Sequence, residues 1–319
     1  MTTATEPRTD ATREPGIRGL ARRRPLTMFF VIAYAVTWLL WSPLILLGVP
    51  AFNPDTFAPT IWVLPGIAIG VTGTAFLMVG LIDGKPGIRR LASRLISFRH
   101  GIQWYLVAIL LLPGTAVIVT LILGATDAGA AFALTSLVIY PASYAAHFIF
   151  GPLFEETGWR GFALPRMQNK YGPFRGTFYL SLLWATWHFS LYIPSWFGSG
   201  DIGQGMFGLG FFTLTVIGMT FIFTWLSNNT QASLALCILL HGSIDGSVTY
   251  FQRLAAGGTI AADTSAMLVG FGATIGYFVI AIIVLLATRG RLSYPRYQRE
   301  AEDLDLHPAR HHGERILAG

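Results

Sequence analysis

Two adjacent glutamates, Glu155 and Glu156, follow a long apolar run, and Arg160 follows them. The preceding residues 130–153 contain no Asp, Glu, Lys or Arg. Carboxylates beside or inside an apolar span are costly, so they mark functional sites. On a helix Glu156 and Arg160 share a face because they are four residues apart, whereas Glu155 points elsewhere. We therefore predict a structural ion pair between Glu156 and Arg160, and a working cavity in front of Glu155.

Two histidines on later apolar segments lie at a matching depth. With a rise of 1.5 Å per residue, Glu155, His188 and His241 each lie roughly 15–18 Å from the same end of their helices. Trp184 precedes His188 by four residues, and Asp245 follows His241 by four, so each pair shares a helix face. A carboxylate, imidazoles and a water molecule can form a hydrolytic centre. The carboxylate takes the water's proton, an imidazole orients the water, and hydrogen-bond donors stabilise an oxyanion.

The same three side chains also suit a metal. Two imidazoles and a carboxylate form a common zinc ligand set, so Glu155, His188 and His241 could instead bind Zn²⁺. The chain has no His-Glu-x-x-His motif, and its one cysteine, Cys237, excludes an internal disulfide and a multi-cysteine metal site. No other cofactor is expected from the sequence.

The composition indicates a membrane protein. The chain has 319 residues, of which 53% are hydrophobic and 12% are charged. Soluble domains carry about 25% charged residues. Apolar runs of roughly 20 residues predict an all-α, polytopic protein of about eight transmembrane helices in the cell membrane. The predicted spans are 27–48, 58–82, 102–125, 130–162, 176–194, 207–226, 231–250 and 265–288, with a kink expected in the fourth at Gly151 and Pro152.

The basic residues predict the orientation of these spans. With both termini in the cytoplasm, every one of the 22 Lys and Arg residues except Arg253 falls on the cytoplasmic side. The basic balance therefore reports membrane orientation, and we expect no nucleic-acid partner. Residues 87–100 are predicted to form an amphipathic helix at the membrane surface.

The chain is predicted to have three parts. Residues 1–26 form a basic cytoplasmic arm, and residues 290–319 form a polar cytoplasmic tail. Both are expected to be disordered because they carry few apolar residues. Residues 27–289 form the eight-span domain, and its functional core extends from about 130 to 250.

Three segments of this core resemble motifs of the CPBP family, the intramembrane endopeptidases grouped with type 2 CAAX prenyl proteases and lysostaphin-resistance proteins. Two glutamates with an arginine four residues after the second match Glu155, Glu156 and Arg160. An aromatic residue four before a histidine matches Trp184 and His188, where the family usually has Phe. A histidine four residues before Asn or a close relative matches His241 and Asp245.

The resemblance implies an eight-helix membrane fold and cleavage of peptide bonds within the membrane. It implies that Glu155 and His188 activate water, and that His241 and Asp245 form an oxyanion site. Glu156, Arg160 and Trp184 are expected to support these residues. The family was long described as metalloproteases, so the zinc alternative stays open. The expected partners are a membrane-associated peptide or protein substrate and the lipid bilayer.

Two other functions fit the same residues. Intramembrane His and Glu residues can form a proton or ion relay in a transporter. Here they cluster at one level and form no path across the bilayer, which favours hydrolysis. A non-catalytic scaffold or immunity protein with the same fold is the other alternative.

Overall fold

The computed structural model describes residues 15–49, 58–132, 136–149 and 151–303. No strand occurs within these ranges, which confirms the predicted all-α class. The α-helices, in chain order, are α1 (Gly16–Arg23), α2 (Pro25–Leu46), α3 (Ala58–Ile67), α4 (Thr74–Leu95), α5 (Ile102–Leu106), α6 (Leu112–Ile122), α7 (Ser136–Ile149), α8 (Pro152–Glu156), α9 (Leu164–Tyr171), α10 (Pro173–Phe197), α11 (Ile202–Asn229), α12 (Leu234–Ala256), α13 (Ala262–Met267), α14 (Ala273–Ala287) and α15 (Tyr294–Asp303).

Six helical segments of the described chain are long and apolar enough to cross a membrane, so the protein is a multi-pass membrane protein. Three of them continue through a π-helical turn that joins two α-helices. The six are Pro25–Leu46, Trp62–Leu95, Ile102–Ile122, Ile202–Asn229, Leu234–Ala256 and Ala262–Ala287.

Two of the eight predicted spans are not among these six. Residues 130–162 are divided, because Gly151 has a φ of 115° and starts the separate helix α8, as the predicted kink requires. Residues 176–194 lie within α10, which has 25 residues but includes polar side chains such as Arg175 and His188. The count of eight spans and the cytoplasmic placement of both termini stay predictions.

Part of each terminal segment for which the sequence predicted disorder is helical. Helix α1 lies within the arm and buries Ala21 completely, and helix α15 lies within the tail. Tyr294 and Tyr297 stack with ring centroids 5.9 Å apart and are buried with Ala232. These contacts supply the apolar burial that the sequence of a polar tail did not indicate. Residues 1–14 and 304–319 lie outside the described residues.

Helix α12 is the central helix. Of the 18 residues that form its most apolar stretch, 72% are buried inside the protein. In the other five candidate spans the buried share of the corresponding stretch is 28–44%. It packs against α7, α8 and α11. Because α12 is surrounded on most sides, the polar residues that it carries, His241 and Asp245, lie among neighbouring helices.

One end of the helical bundle gathers α1, α9, α15 and the end of α4, and we call it the basic end. Ser233, at the start of α12, donates a hydrogen bond to the Ser97 carbonyl at 2.7 Å. Asn228, near the end of α11, donates one to the Leu292 carbonyl at 2.8 Å. Helix α4 contains a break at Gly84, with φ 67° and ψ −157°, so its last part is a separate surface segment, where the sequence predicted an amphipathic helix.

The opposite end of the bundle gathers the turn after α6 and the start of α13. Asp127 accepts a hydrogen bond from the Ala261 amide at 2.7 Å and another from the Thr264 hydroxyl at 2.6 Å. Helices α10 and α12 lead from the basic end to the opposite end. Helices α8 and α9 lead towards the basic end.

Candidate active site

Three chain segments meet between the two ends. They are α8 with the π-helical turn Thr157–Ala163, the middle of α10, and the middle of α12. Gly151 begins α8, and the carbonyl of Gly151 accepts hydrogen bonds from the amides of Phe154 and Glu155. This local structure places the paired glutamates at the start of a helical stretch that leads to the basic end.

Glu156 occupies the layer of the site nearer the basic end. Its Oε1 accepts hydrogen bonds from Arg160 at 2.8 Å and from Nδ1 of His241 at 2.8 Å, and Glu156 and Arg160 are fully buried. The predicted pairing of Glu156 with Arg160 is present. The contact with His241 was not foreseen, because the two residues are 85 positions apart.

Arg160 is also held by aromatic rings. Its guanidinium carbon lies 3.9 Å from the ring centroid of Trp184 and 4.0 Å from that of Phe223. Cation–π contacts of this kind are strongest when they are desolvated. Trp184 therefore packs against the buried ion pair, and its supporting role stays a prediction.

Glu155 occupies the next layer, towards the opposite end. It has no partner on its own helix, but Trp184 Nε1 donates a hydrogen bond to its Oε2 at 2.9 Å. His188 Nε2 lies 3.8 Å from the same oxygen. His188 Nδ1 lies 2.8 Å from the Trp184 carbonyl, which can only accept, so Nδ1 carries the proton. In the neutral ring Nε2 is then an acceptor facing Glu155, and one water molecule can contact both groups.

Asp245 completes this layer. Its Oδ2 lies 3.7 Å from His241 Nε2, and its side chain is 35% exposed, whereas that of Glu155 is 7% exposed. A Cβ placed on Gly151 would lie 3.6 Å from Glu155 Oε1 and 3.9 Å from Asp245 Oδ2. Gly151 therefore lies beside both carboxylates, of which Asp245 is the more exposed.

The predicted zinc ligands do not form a metal cage. Among the described residues, no group of three His, Cys, Asp or Glu side chains is arranged to hold a metal ion. His241 directs Nδ1 to Glu156 and Nε2 towards Asp245, so its two nitrogens already face carboxylates. The binding of Zn²⁺ by Glu155, His188 and His241 stays a prediction, and we assign no chemical step to it.

An arginine that was not predicted from the sequence holds the segment that follows the glutamates. Arg94, 9% exposed at the end of α4, donates to the carbonyls of Arg160 at 3.0 Å, Gly161 at 2.9 Å and Ala232 at 2.8 Å. Arg160 and Gly161 lie in the π-helical turn, whose wider winding leaves carbonyls available to outside donors. Arg94 therefore connects the segment after the glutamates to the turn before α12.

Comparison with known proteins points to the same segments. Residues 137–247 match a family model described as type II CAAX prenyl endopeptidase Rce1-like. A protein of Methanococcus maripaludis, "CAAX prenyl protease 2", is 33% identical over 90 residues, which cover 28% of this chain and 33% of the relative. The chain thus aligns with about a third of that relative's length. The matching residues 137–247 include all the site residues predicted from the motifs, and in this part the chain is similar to CAAX-type proteases.

Proposed function

We propose that this protein is an intramembrane endopeptidase that hydrolyses a peptide bond of a membrane-associated protein or peptide. The observation that supports it most is the meeting of three motifs from three separate helices. Glu155 lies 3.8 Å from His188, and Asp245 lies 3.7 Å from His241, with Gly151 between the two carboxylates. A site that hydrolyses peptide bonds needs a carboxylate base, an imidazole and a pair of hydrogen-bond donors around one space.

In the first step, Glu155 takes a proton from a water molecule that also contacts His188 Nε2. The water oxygen attacks the carbonyl carbon of the substrate, and the carbonyl oxygen becomes an oxyanion. The protonated Glu155 then gives its proton to the leaving nitrogen, the C–N bond breaks, and a carboxyl and an amino terminus are released. Trp184 keeps Glu155 in place by its hydrogen bond of 2.9 Å.

The oxyanion is stabilised by the pair formed by His241 and Asp245. His241 donates from Nδ1 to Glu156, and its Nε2 lies 3.7 Å from Asp245 Oδ2. One further proton, carried by Nε2 or by Asp245, makes this pair a hydrogen-bond donor. Either a doubly protonated His241 or a protonated Asp245 can donate this proton to the oxyanion. A preorganised donor in a site of low dielectric contributes strongly to the rate.

The test is cleavage of a reporter peptide by the purified protein in detergent, with Glu155→Gln as the matched inactive variant. Cleavage by wild type and none by the variant supports the proposal. No cleavage by wild type of any membrane-proximal peptide, with or without a prenyl group, contradicts it and favours a scaffold. Proteome-wide mapping of peptide termini in wild-type and Glu155→Gln cells would then identify the substrate.

The proposed orientation in the cell membrane places the basic end in the cytoplasm. Single cysteines at positions 170 and 201 test it, because both native residues are exposed and lie at the two ends of α10. The native Cys237 is fully buried and should not react. In intact cells an impermeant thiol reagent should label position 201 and not position 170. The reverse pattern would contradict the orientation and the eight-span topology.

A further inference from the structure

Two basic helical segments lie side by side at the basic end. Helix α1 packs against α4, and Arg22 donates a hydrogen bond to the Ile82 carbonyl at 3.4 Å, just before the break at Gly84. Arg18 on α1 and Lys85 and Arg89 on α4 are exposed. The two segments therefore present one continuous basic surface, and we call these three side chains and their apolar neighbours the basic platform.

Apolar side chains lie between these charges. Ile17 is 59% exposed, Leu20 is 45% exposed and Ile88 is 37% exposed. Apolar side chains alternating with Lys and Arg on a short helix are typical of segments that lie at a membrane surface. The apolar groups enter the acyl boundary while the basic groups stay at the level of the lipid headgroups.

Within the described residues, neither segment of the platform carries a carboxylate. Residues 15–24 and 84–100 contain no Asp or Glu, while Glu14 precedes the first range and lies outside the described residues. Asp83, which precedes the second range, is 5% exposed and pairs with Arg166 at 3.5 Å. A basic surface with exposed apolar side chains, at the end of a membrane-spanning bundle, is complementary to negatively charged lipid.

We propose that the basic platform binds anionic phospholipid from the leaflet that surrounds the basic end. The phosphate groups contact Arg18, Lys85 and Arg89, and the acyl chains cover Ile17, Leu20 and Ile88. Each basic side chain near an anionic surface strengthens binding roughly fivefold.

The same segment of α4 also touches the candidate active site. Leu91 is 3% exposed, and its Cδ1 would lie 2.7 Å from a Cβ on Gly161, so the two helices are in close contact. Arg94 holds the carbonyls of Arg160 and Gly161. Lipid on the outer face of this segment therefore stabilises the inner face that positions the π-helical turn after the glutamates. This part of the inference depends on the proposed proteolytic function.

The lipid preference can be measured without any assay of cleavage. The full-length protein is reconstituted in nanodiscs of phosphatidylcholine with phosphatidylglycerol, and the lipids that it retains are counted by native mass spectrometry. The test variant is Arg18→Gln/Lys85→Gln/Arg89→Gln. The matched control, Arg175→Gln/Arg289→Gln/Arg291→Gln, removes the same charge from exposed residues on other segments.

Wild type and control should retain phosphatidylglycerol preferentially, and the test variant should lose this preference by roughly fivefold or more. Equal retention by wild type and test variant overturns the proposal. An equal loss in the control also overturns it, because net charge alone would then explain the effect. Release of the lipid by soluble glycerophosphate would indicate a site for free phosphate groups and contradict a lipid surface.

The connection to the active site is tested by reporter cleavage in nanodiscs with and without phosphatidylglycerol. Wild type and control should be several-fold faster with the anionic lipid, and the test variant should respond less than twofold. A response in the test variant equal to that of wild type overturns the connection. If wild type retains the lipid but cleaves nothing in either nanodisc, the proposed proteolytic function fails while the lipid surface stands.

Discussion

The basic end and the opposite end of the molecule are held together by different contacts. Nearer the basic end the contacts are buried: the Arg94 guanidinium joins separate segments through three carbonyls, and Arg160 pairs with Glu156 on its own helical stretch. At the opposite end, Asp127 joins two loops through the Ala261 amide and the Thr264 hydroxyl, close to solvent. Buried charged contacts are costly to break, whereas exposed ones contribute little.

The candidate active site lies across this difference. Glu156 and Nδ1 of His241 belong to the buried network nearer the basic end, whereas the side chain of Asp245 is 35% exposed and that of Glu155 is 7% exposed. The two adjacent glutamates therefore lie in different surroundings, and substitution should separate their effects.

The largest effect is expected for Glu155→Gln. The amide keeps the size of the carboxylate and can still accept from Trp184, but it cannot take a proton from water. Cleavage should fall by roughly 10²–10⁴-fold with unchanged thermal stability, since general bases contribute factors of this order. Reporter cleavage and thermal unfolding of the purified variant measure the two quantities. Full activity in this variant would refute the role of Glu155.

The next effect is expected for Glu156→Gln, and it concerns stability. Removing this charge leaves Arg160 buried without its carboxylate, and Arg160 Nε already has no hydrogen-bond partner. Breaking a buried pair on one side costs about 3–5 kcal/mol. Thermal unfolding in detergent should show a large decrease.

Glu300→Gln is the control for this change, because Glu300 pairs with Arg296 on a surface where Arg296 is 48% exposed. The control should change the free energy of unfolding by at most about 1 kcal/mol. A Glu156→Gln variant as stable as this control would show that the buried network does not hold the basic end together.

A smaller effect on activity is expected at Asp245. Asp245→Ala removes the carboxyl group 3.7 Å from His241 Nε2, which is a proposed donor to the oxyanion, so cleavage should fall by roughly 10²-fold. Asp245→Asn keeps a donor of similar shape, so it should stay active and remain active to higher pH than wild type. Rate–pH profiles of the three proteins measure this.

The same profiles with a chelator and with added Zn²⁺ distinguish the metal alternative. An oxyanion role predicts no effect of either addition on wild type or on Asp245→Asn. Loss of activity in Asp245→Asn that Zn²⁺ restores would contradict the oxyanion role and favour a metal site.

The smallest effect is expected at the opposite end. The hydrogen bond from Thr264, together with that from the Ala261 amide, lowers the pKa of Asp127 below its ordinary value of about 4. Because the pKa of Asp127 is lowered in the folded protein, the contact stabilises the fold fully when the pH is above the ordinary pKa of an aspartate. This stabilisation is lost as the pH falls through the lowered pKa. Hydrogen exchange of the Ala261 amide should therefore accelerate as the pH falls through the lowered pKa of Asp127.

In Asp127→Asn the exchange rate of the Ala261 amide, after correction for intrinsic exchange, should not change over the same range. Asp263→Asn, an exposed substitution on the first turn of α13, is the control and should behave as wild type. A wild-type amide with no acid-dependent loss of protection would show that Asp127 does not hold the two loops.

Much of the helical architecture could be predicted from the sequence, because apolar runs and four-residue spacings are local. The pairing of Glu156 with Arg160 follows from such a spacing, and it is present. The hydrogen bonds from His241 to Glu156 and from Trp184 to Glu155 depend on how three helices rotate against one another. A sequence pattern on one helix does not contain that rotation.

The π-helical turn and Arg94 could not be predicted for a related reason. A π-helical turn, with its i→i+5 hydrogen bonds, changes the direction in which all the following side chains point around the helix axis. No residue type in the sequence predicts such a turn. Arg94 lies in a segment whose arginines were all assigned to the membrane surface, yet two of its three acceptors are carbonyls of that turn. The sequence would have suggested the contact only if the turn had been known first.

The three bonds of Arg94 also bear on where the structural unit begins. The family match starts at residue 137, and Arg94 lies outside it, as does Thr72, whose hydroxyl donates to the Phe154 carbonyl. A fragment cut to the matching residues would leave the carbonyls of Arg160, Gly161 and Ala232 without these donors in an apolar surrounding. The folding unit is therefore longer than the segment that carries the motifs. Exchanging cores between relatives will require the amino-terminal helices to be exchanged with them.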